Sequence, residues 1–327
     1  MVLIPRELLD FINNGKNFLI AGHESPDGDC IGSQLVLASA LKRLGKEVSV
    51  YSAGPFNRTE IESYRHLFIE TLPEPSARQN PAPSLIIVDC SSLDRVGGQW
   101  ERLKGLPAAV IDHHSSREDS AEAEICCIDE NAPSATFLVM KLLLELGLEI
   151  NREEAGLLFF GLCTDTGFFR HVEENGAGVF EAAAALIRLG ASPKSAFLAM
   201  NGGKSLNSRI LIGNALTSSE SHFGGKLILV FQKYEDISRL GLENKDSDSL
   251  YQLLQSVAGV EAIVLIRQET PAAECNVGLR SRSLVDVGKV AKTFGGGGHK
   301  NASGFTLAGS IAETRQKIIE AFESVFD

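Results

Sequence analysis

No apolar run in these 327 residues reaches the roughly 18 consecutive positions that a membrane-spanning helix needs. The opening Met-Val-Leu-Ile-Pro-Arg also lacks the basic flank and length of a secretory signal, so the chain is expected in the cytoplasm with no membrane partner. Patterned cysteine is missing too: Cys30, Cys90, Cys126, Cys127, Cys163 and Cys275 show no Cys-x-x-Cys spacing. Free thiols are among the most buried side chains, so these read as small reduced core residues rather than zinc ligands or a disulfide framework. Basic charge is in short supply as well. With 31 Lys and Arg against 42 Asp and Glu the formal net charge is −11, which excludes a protein that wraps long duplex DNA by neutralising many phosphates. A mononucleotide or a short RNA needs only a few cations focused at one cleft. What remains, 44% hydrophobic and 22% charged over this length, is globular material sufficient for two domains.

Four hydrophobic segments each run into carboxylates or imidazoles. Asn17-Phe18-Leu19-Ile20-Ala21 leads through Gly22 to His23-x-x-x-Asp27-x-Asp29, and Leu85-Ile86-Ile87-Val88 leads to Asp89. Ala108-Ala109-Val110-Ile111 leads to Asp112-His113-His114, and the apolar stretch 155–162 to Thr164-Asp165-Thr166-Gly167. A lone Asp after a strand is more often a helix cap or turn residue than a ligand, and the 23–29 segment alone reads equally as a polar loop capping the next helix. Their joint occurrence, in order, is how an α/β protein builds a site outside the carboxyl ends of its strands. Asp27, Asp29, Asp89, Asp112 and Asp165 at one sheet edge would repel each other unless positive charge lay among them. A pair of divalent cations answers that. Imidazole with carboxylate and no required thiolate suits Mn²⁺ first, while Mg²⁺ and Co²⁺ are also accommodated. The constellation points to a metallohydrolase.

Around these motifs, residues 31–44 read as a helix ended by Gly45, and 47–51 as the next strand of a βαβ unit. Residues 71–83 carry four prolines and read as a loop, followed by strands at 85–88 and 108–111. Pro133 is expected to open a helix reaching Leu146, a second helix from Arg152 leaves Asp165 just past its end, and a third covers 179–189. The expected division is a catalytic domain over 1–190, a linker over 191–209 containing Gly202-Gly203, and a second domain over 210–327. In that second domain strands near 226–232, 262–267 and 274–280 alternate with helices near 247–257, 287–292 and 311–325. Its landmark is Phe294-Gly295-Gly296-Gly297-Gly298-His299. Successive glycines let a backbone turn several N–H groups toward an anion, and Arg280 and Arg282, two apart in a strand, would project from one face. A flexible turn and a solvated sheet face are the plain alternatives; together the features suggest a phosphate clamp.

These residues resemble the DHH phosphoesterase superfamily, in its members with a DHH-associated C-terminal domain, and most closely the nanoRNase/pAp-phosphatase group. The motifs that carry the resemblance are His23-x-x-x-Asp27-x-Asp29, Asp89, Asp112-His113-His114, Thr164-Asp165-Thr166-Gly167 and Gly296-Gly297-Gly298-His299-x-x-Ala302-x-Gly304. The resemblance implies an α/β fold with a parallel-sheet N-terminal DHH domain, a smaller α/β C-terminal domain and an active site in the cleft between them. It implies that His23, Asp27 and Asp89 hold one metal while Asp29, Asp89, His113 and Asp165 hold the second, with Asp89 shared. Asp112 would orient an imidazole and His114 would face the phosphate, making Asp89, Asp112 and His114 the catalytic group. Arg280, Arg282, Gly296, Gly297, Gly298 and His299 would grip the nucleotide.

The implied activity is Mn²⁺-dependent hydrolysis of very short RNA from its ends, together with removal of the 3′-phosphate of adenosine 3′,5′-bisphosphate (pAp), without a covalent enzyme intermediate. A cyclic or linear dinucleotide phosphodiesterase would share the metal site and the glycine-rich His loop. A pyrophosphatase or exopolyphosphatase ranks behind it, because a basic Ser-Arg-Lys-Lys type motif is absent. A long single-strand exonuclease is disfavoured by the acidic charge and by the lack of room for an added oligonucleotide-binding domain. A non-catalytic nucleotide sensor would show lost ligands, whereas every expected metal position is filled. The family is compatible with a homodimer, but nothing in the chain signals an interface.

Overall fold

Five short apolar segments form one parallel sheet: β1 (Asn17–Ala21), β2 (Glu47–Tyr51), β3 (Ser84–Val88), β4 (Ala108–Asp112) and β5 (Ile125–Ile128), in spatial order β2-β1-β3-β4-β5. The structure is a computed structural model that describes residues 3–72, 82–114 and 123–326. Most of the expected proline-rich loop, 73–81, lies outside the described residues. Strands β1, β3 and β4 are buried along almost their whole length, as parallel strands are when both faces of the sheet are covered. The helices of this unit are α1 (Arg6–Asn14), α2 (Gly28–Arg43), α3 (Ala135–Glu145), α4 (Arg152–Asp165), α5 (Ala177–Arg188) and α6 (Pro193–Asn201). Ile20, Ile86 and Ala109 of the sheet share a core with Leu37, Leu138 and Phe159 from α2, α3 and α4. The opposite face buries Leu19, Leu85, Ile87 and Val110 against Leu103 and Leu106.

Helix boundaries differ from the sequence expectation where caps decide them. Helix α2 starts at Gly28, not residue 31, because the Asp27 carboxylate accepts hydrogen bonds from the N–H groups of Asp29 and Cys30 at 3.0 and 3.1 Å. Ser134 caps α3, so that helix begins beyond Pro133. Asp165 is the last residue of α4 rather than just past it. Close packing of α4 on its neighbours depends on Gly161. A β-carbon there would lie 2.4 Å from Thr136 Cγ2 and 2.9 Å from Asp29 Oδ1.

The chain divides into two units, Met1–Gly203 and Lys204–Asp327. Within the expected linker, α6 and the first turn of α7 (Leu206–Thr217) leave only residues 191–192 and 202–205 irregular. The second unit continues with β6 (Glu220–His222), β7 (Leu227–Gln232), α8 (Tyr234–Leu240), α9 (Ser247–Gln255), β8 (Ala262–Arg267) and β9 (Glu274–Ser281). It ends with α10 (Val287–Thr293), β10 (Gly297–His299), β11 (Ala302–Ala308) and α11 (Ile311–Phe326). Its mixed sheet has the order β10-β11-β9-β8-β7-β6, with β7 and β8 parallel and the other pairs antiparallel. Ile318 and Phe322 of α11 cover one face, and Leu250 and Leu254 of α9 cover part of the other. No helix among the described residues is long and apolar enough to cross a membrane. Five of the six cysteines are buried and free; Cys126 departs from the core expectation because it lies on the edge strand β5 and is exposed.

Candidate metal centre

The strand order 2-1-3-4-5 reverses direction between β1 and β3, and a crevice at such a switch point is where open α/β sheets bind ligands. His23 follows β1, Asp89 follows β3, and Asp112, His113 and His114 end β4. All five therefore lie at the carboxyl edge of neighbouring strands. Asp29 enters from the first turn of α2 and Asp165 from the last residue of α4.

Local bonds aim each group. His23 Nδ1 donates to the Glu24 carbonyl at 2.8 Å, which leaves Nε2 facing Asp89 Oδ2 at 3.4 Å. Asp89 has φ of 60°, a left-handed conformation that Asp tolerates better than most residues, while its N–H still donates to the Ile111 carbonyl at 3.0 Å. His113 Nε2 lies 2.9 Å from Asp165 Oδ2, 3.4 Å from Asp89 Oδ1 and 3.9 Å from Asp29 Oδ2. Asp112 Oδ1 accepts from the N–H groups of His113 and His114 and from His114 Nδ1, at 2.8, 3.2 and 2.8 Å. The imidazole that Asp112 orients is therefore His114, whose side chain is 40% exposed and has Nε2 free.

Three sets of possible ligand atoms gather within 4.8 Å of one another: Asp29 with His113 and Asp165, Asp89 with His113 and His114, and His23 with Cys30 and Asp89. Asp27, expected beside His23 and Asp89, is in none of them. One of its oxygens is committed to capping α2, although its charge still acts on its neighbours. Cys30 stands nearer, but burial and then the charges of Asp89 and Asp27 push its thiol well above its ordinary range. A neutral thiol is a poor cation ligand.

The buried carboxylates depend on the two imidazoles for compensating charge. Burial, then Asp89 and Asp165, push Asp29 well above the usual carboxylate range. Burial would raise Asp89 too, but His113 and His23 outweigh it and hold Asp89 below the ordinary value. For His113 burial opposes the charge, yet Asp165, Asp89 and Asp29 lift the pKa to about 11. His23 rises to about 9 against its own burial, mainly through Asp89. Asp89 Oδ1, His113 Nε2 and Asp112 Oδ2 are buried polar atoms without a hydrogen-bond partner. Short contacts that lack hydrogen-bond direction, among nitrogen and oxygen ligands, fit divalent cations.

One supporting residue had no sequence signal. Both Asp29 oxygens are held at the N-terminus of α3, by the N–H of Ala135 and by the N–H and hydroxyl of Thr136. Thr136→Val keeps the shape and removes the hydroxyl. It is expected to weaken metal affinity by about 10–100-fold, as loss of an outer hydrogen bond to a ligand does; a metal titration followed by thermal melting checks this.

In the second unit, Arg280 is half-buried, with its guanidinium carbon 4.6 Å from the centre of the Tyr251 ring. It lines a cavity of about 490 Å³ together with Arg267, Asn276, Gly278, Gly304 and Thr306. Arg282 stands beyond the strand: β9 ends at Ser281, and Arg282 is exposed, its N–H donating to the Glu261 carbonyl at 3.0 Å. The glycine run is not an open anion loop either. Gly297, Gly298 and His299 form β10, paired antiparallel with Gly304, Ser303 and Ala302, and His299 is exposed. Tyr251 carried no signal in the sequence beyond its place on an amphipathic helix.

Comparison with known proteins bears on both units. Residues 17–162 match the DHH family, N-terminal domain, and residues 224–327 match the DHHA1 domain. The chain is 30% identical to a bifunctional oligoribonuclease and PAP phosphatase NrnA of Thermus thermophilus, over 92% of this chain and 88% of that protein. Identity to the protein of the same description in Bacillus subtilis is 25%, covering 92% of each. The crystal structure of an exopolyphosphatase-related protein from Bacteroides fragilis superposes with a TM-score of 0.82 at 22% identity, covering 98% of this chain and 96% of that one.

Proposed function

Because the chain belongs to the DHH family, with a C-terminal DHHA1 domain, and is a phosphoesterase of that family, we propose that it hydrolyses very short oligoribonucleotides from an end and removes the 3′-phosphate of pAp, using Mn²⁺. The observation that carries this reading is the convergence of Asp29, Asp89, Asp165, His23 and His113 around buried atoms that have no hydrogen-bond partner. His23 and Asp89 are assigned to one cation, and Asp29, Asp89, His113 and Asp165 to the other; Asp27 joins the first set through Oδ2, the oxygen that does not cap its helix. Such ions supply Lewis-acid activation of water and neutralise charge at the phosphorus.

The protein's own residues do the remaining work. Asp112 fixes His114 so that Nε2 can donate to a phosphate oxygen or to the departing ester oxygen. Asp89 keeps its charge despite burial because two imidazoles face it. Arg280, backed by the Tyr251 ring, is assigned to a substrate phosphate, and His299 to the same end of the nucleotide. The neighbouring NrnA proteins, described as acting on oligoribonucleotides and PAP, supply the substrate class.

An activity panel with Mn²⁺ tests the reading, comparing pAp, a ribodinucleotide, a longer RNA, a cyclic dinucleotide and pyrophosphate. Turnover is expected to be fastest on the first two and to fall per end as the RNA lengthens. Arg280→Ala should raise KM at least about tenfold, the value of one charge-assisted hydrogen bond, and spare metal content. Inertness toward both pAp and the dinucleotide sinks the proposal.

A further inference from the structure

The turn after Asp165 holds a cationic group that the site described above leaves unused. Gly167, Phe168 and Phe169 occupy the left-handed region in succession, with φ of 56°, 56° and 69°. For two bulky residues this conformation is unfavourable, and such strain persists only where surroundings over-determine it. Here they do. The Phe168 N–H donates to the Cys163 carbonyl at 2.7 Å, the Phe169 N–H to Thr166 Oγ1 at 3.1 Å, and the His171 N–H to the Thr166 carbonyl at 3.1 Å. The rings then lock against the scaffold, Phe168 edge-on to Phe197 and Phe169 stacked on Phe180, each pair with centroids 5.3 Å apart.

The strained turn brings Arg170 and His171 back over Gly167, two residues from Asp165. A β-carbon at Gly167 would lie 2.7 Å from the His171 ring and 3.1 Å from Arg170 Nη2, so only glycine lets these side chains settle there. Arg170 Nε donates to the Gly167 carbonyl at 2.9 Å, which fixes the plane of the guanidinium and leaves Nη1 and Nη2 open. Arg43 and Arg65 are engaged by Glu154 and Glu70, but Arg170 makes no ion pair among the described residues. An exposed, oriented and unpaired guanidinium is conspicuous in a chain of net charge −11, on the turn that follows a carboxylate touching His113.

We infer that Arg170 is a substrate-binding residue, its open Nη1 and Nη2 edge receiving a phosphate of the nucleotide at the rim of the acidic cluster. The inference rests on the proposed phosphoesterase site and adds to it a binding group from the first unit. An anionic substrate approaching five carboxylates is repelled; a cation fixed at the rim focuses it instead. The planar fork suits a phosphate, and pre-fixing by the Gly167 carbonyl reduces the rotamer entropy lost on binding.

Three variants test this: Arg170→Ala, Arg170→Gln, which keeps the three-carbon stem and an N–H donor where Nε reaches Gly167, and Arg170→Lys, which keeps the charge. For Ala and Gln, KM for the ribodinucleotide and pAp should rise about tenfold with kcat within about twofold, while Lys recovers part of the loss. Bound Mn²⁺ and melting temperature should stay at wild-type values in the Gln variant. The rise of KM with salt should become weaker, since one screened contact between the guanidinium and a phosphate is lost. Calorimetric binding of inorganic phosphate to the Mn²⁺-loaded protein should weaken in parallel, a readout that stands even if the wild type turns over none of the panel. Unchanged KM and phosphate affinity in the Gln variant would overturn the assignment. So would a joint fall in kcat and metal content, which marks a purely structural turn.

Discussion

Replacing Asp89 by alanine is expected to lower phosphoesterase activity by on the order of 10³-fold or more, because among the described residues no other carboxylate faces both His23 and His113. Its two oxygens are divided between them, Oδ2 toward His23 at 3.4 Å and Oδ1 toward His113 at 3.4 Å. Removing the side chain disconnects the two halves of the cluster. The fold should survive, since the lost charge is one that burdens Asp27 and Asp29. Alanine at φ of 60° adds a local backbone cost of about 1–2 kcal/mol, so Asp89→Asn serves as the companion variant, Asn being at ease in that conformation. In the metal-free variants the His23 pKa should drop from about 9 toward or below its ordinary 6.5, because burial persists after its main attractive partner is gone. Metal analysis, steady-state kinetics and a histidine NMR titration check the three parts. Wild-type metal content with wild-type turnover would remove Asp89 from the centre of the site.

What could be read from the sequence follows from where the relevant contacts lie along the chain. Strands β1, β3 and β4 are buried on both faces, so each is an unbroken apolar run with a polar residue directly after it. That is why His23, Asp89 and His113 stand out, and the structure places them together. The short edge strand β5, Ile125-Cys126-Cys127-Ile128, gives no such run and went unassigned. Thr136 was invisible because it meets Asp29 across 107 residues, a distance that no local period reports. Asp27 was legible both as a cap and as a ligand, and its geometry shows the cap while leaving its second oxygen uncommitted. Glycine composition announces conformational freedom but not its use, so Gly297 and Gly298 read as a loop although they pair as a strand. Arg282 marks a simpler limit: two-residue alternation fixes the face of a side chain only while the strand lasts, and β9 stops at Ser281.

Loading the metal-free protein with divalent cations at pH 7 is expected to release at least about two protons, one from each of His23 and His113. Both imidazoles are held protonated there, with pKa values of about 9 and about 11, because buried carboxylates without a cation recruit protons in its place. An imidazole must be neutral to ligate, so uptake is an exchange of protons for metal. Affinity should climb with pH until about 9 and more gently until about 11. Calorimetry in buffers of different ionisation enthalpy measures the number released, and a heat independent of buffer would refute the exchange. The same groups set the stability of the metal-free protein. A folded-state pKa raised above 6.5 gives stabilisation that is complete below that value and is lost as pH rises through about 9 for His23 and about 11 for His113. The melting temperature of the metal-free protein should therefore fall across this window, whereas the metal-loaded protein, its imidazoles already neutral and its carboxylates compensated by the cations, should not share that loss.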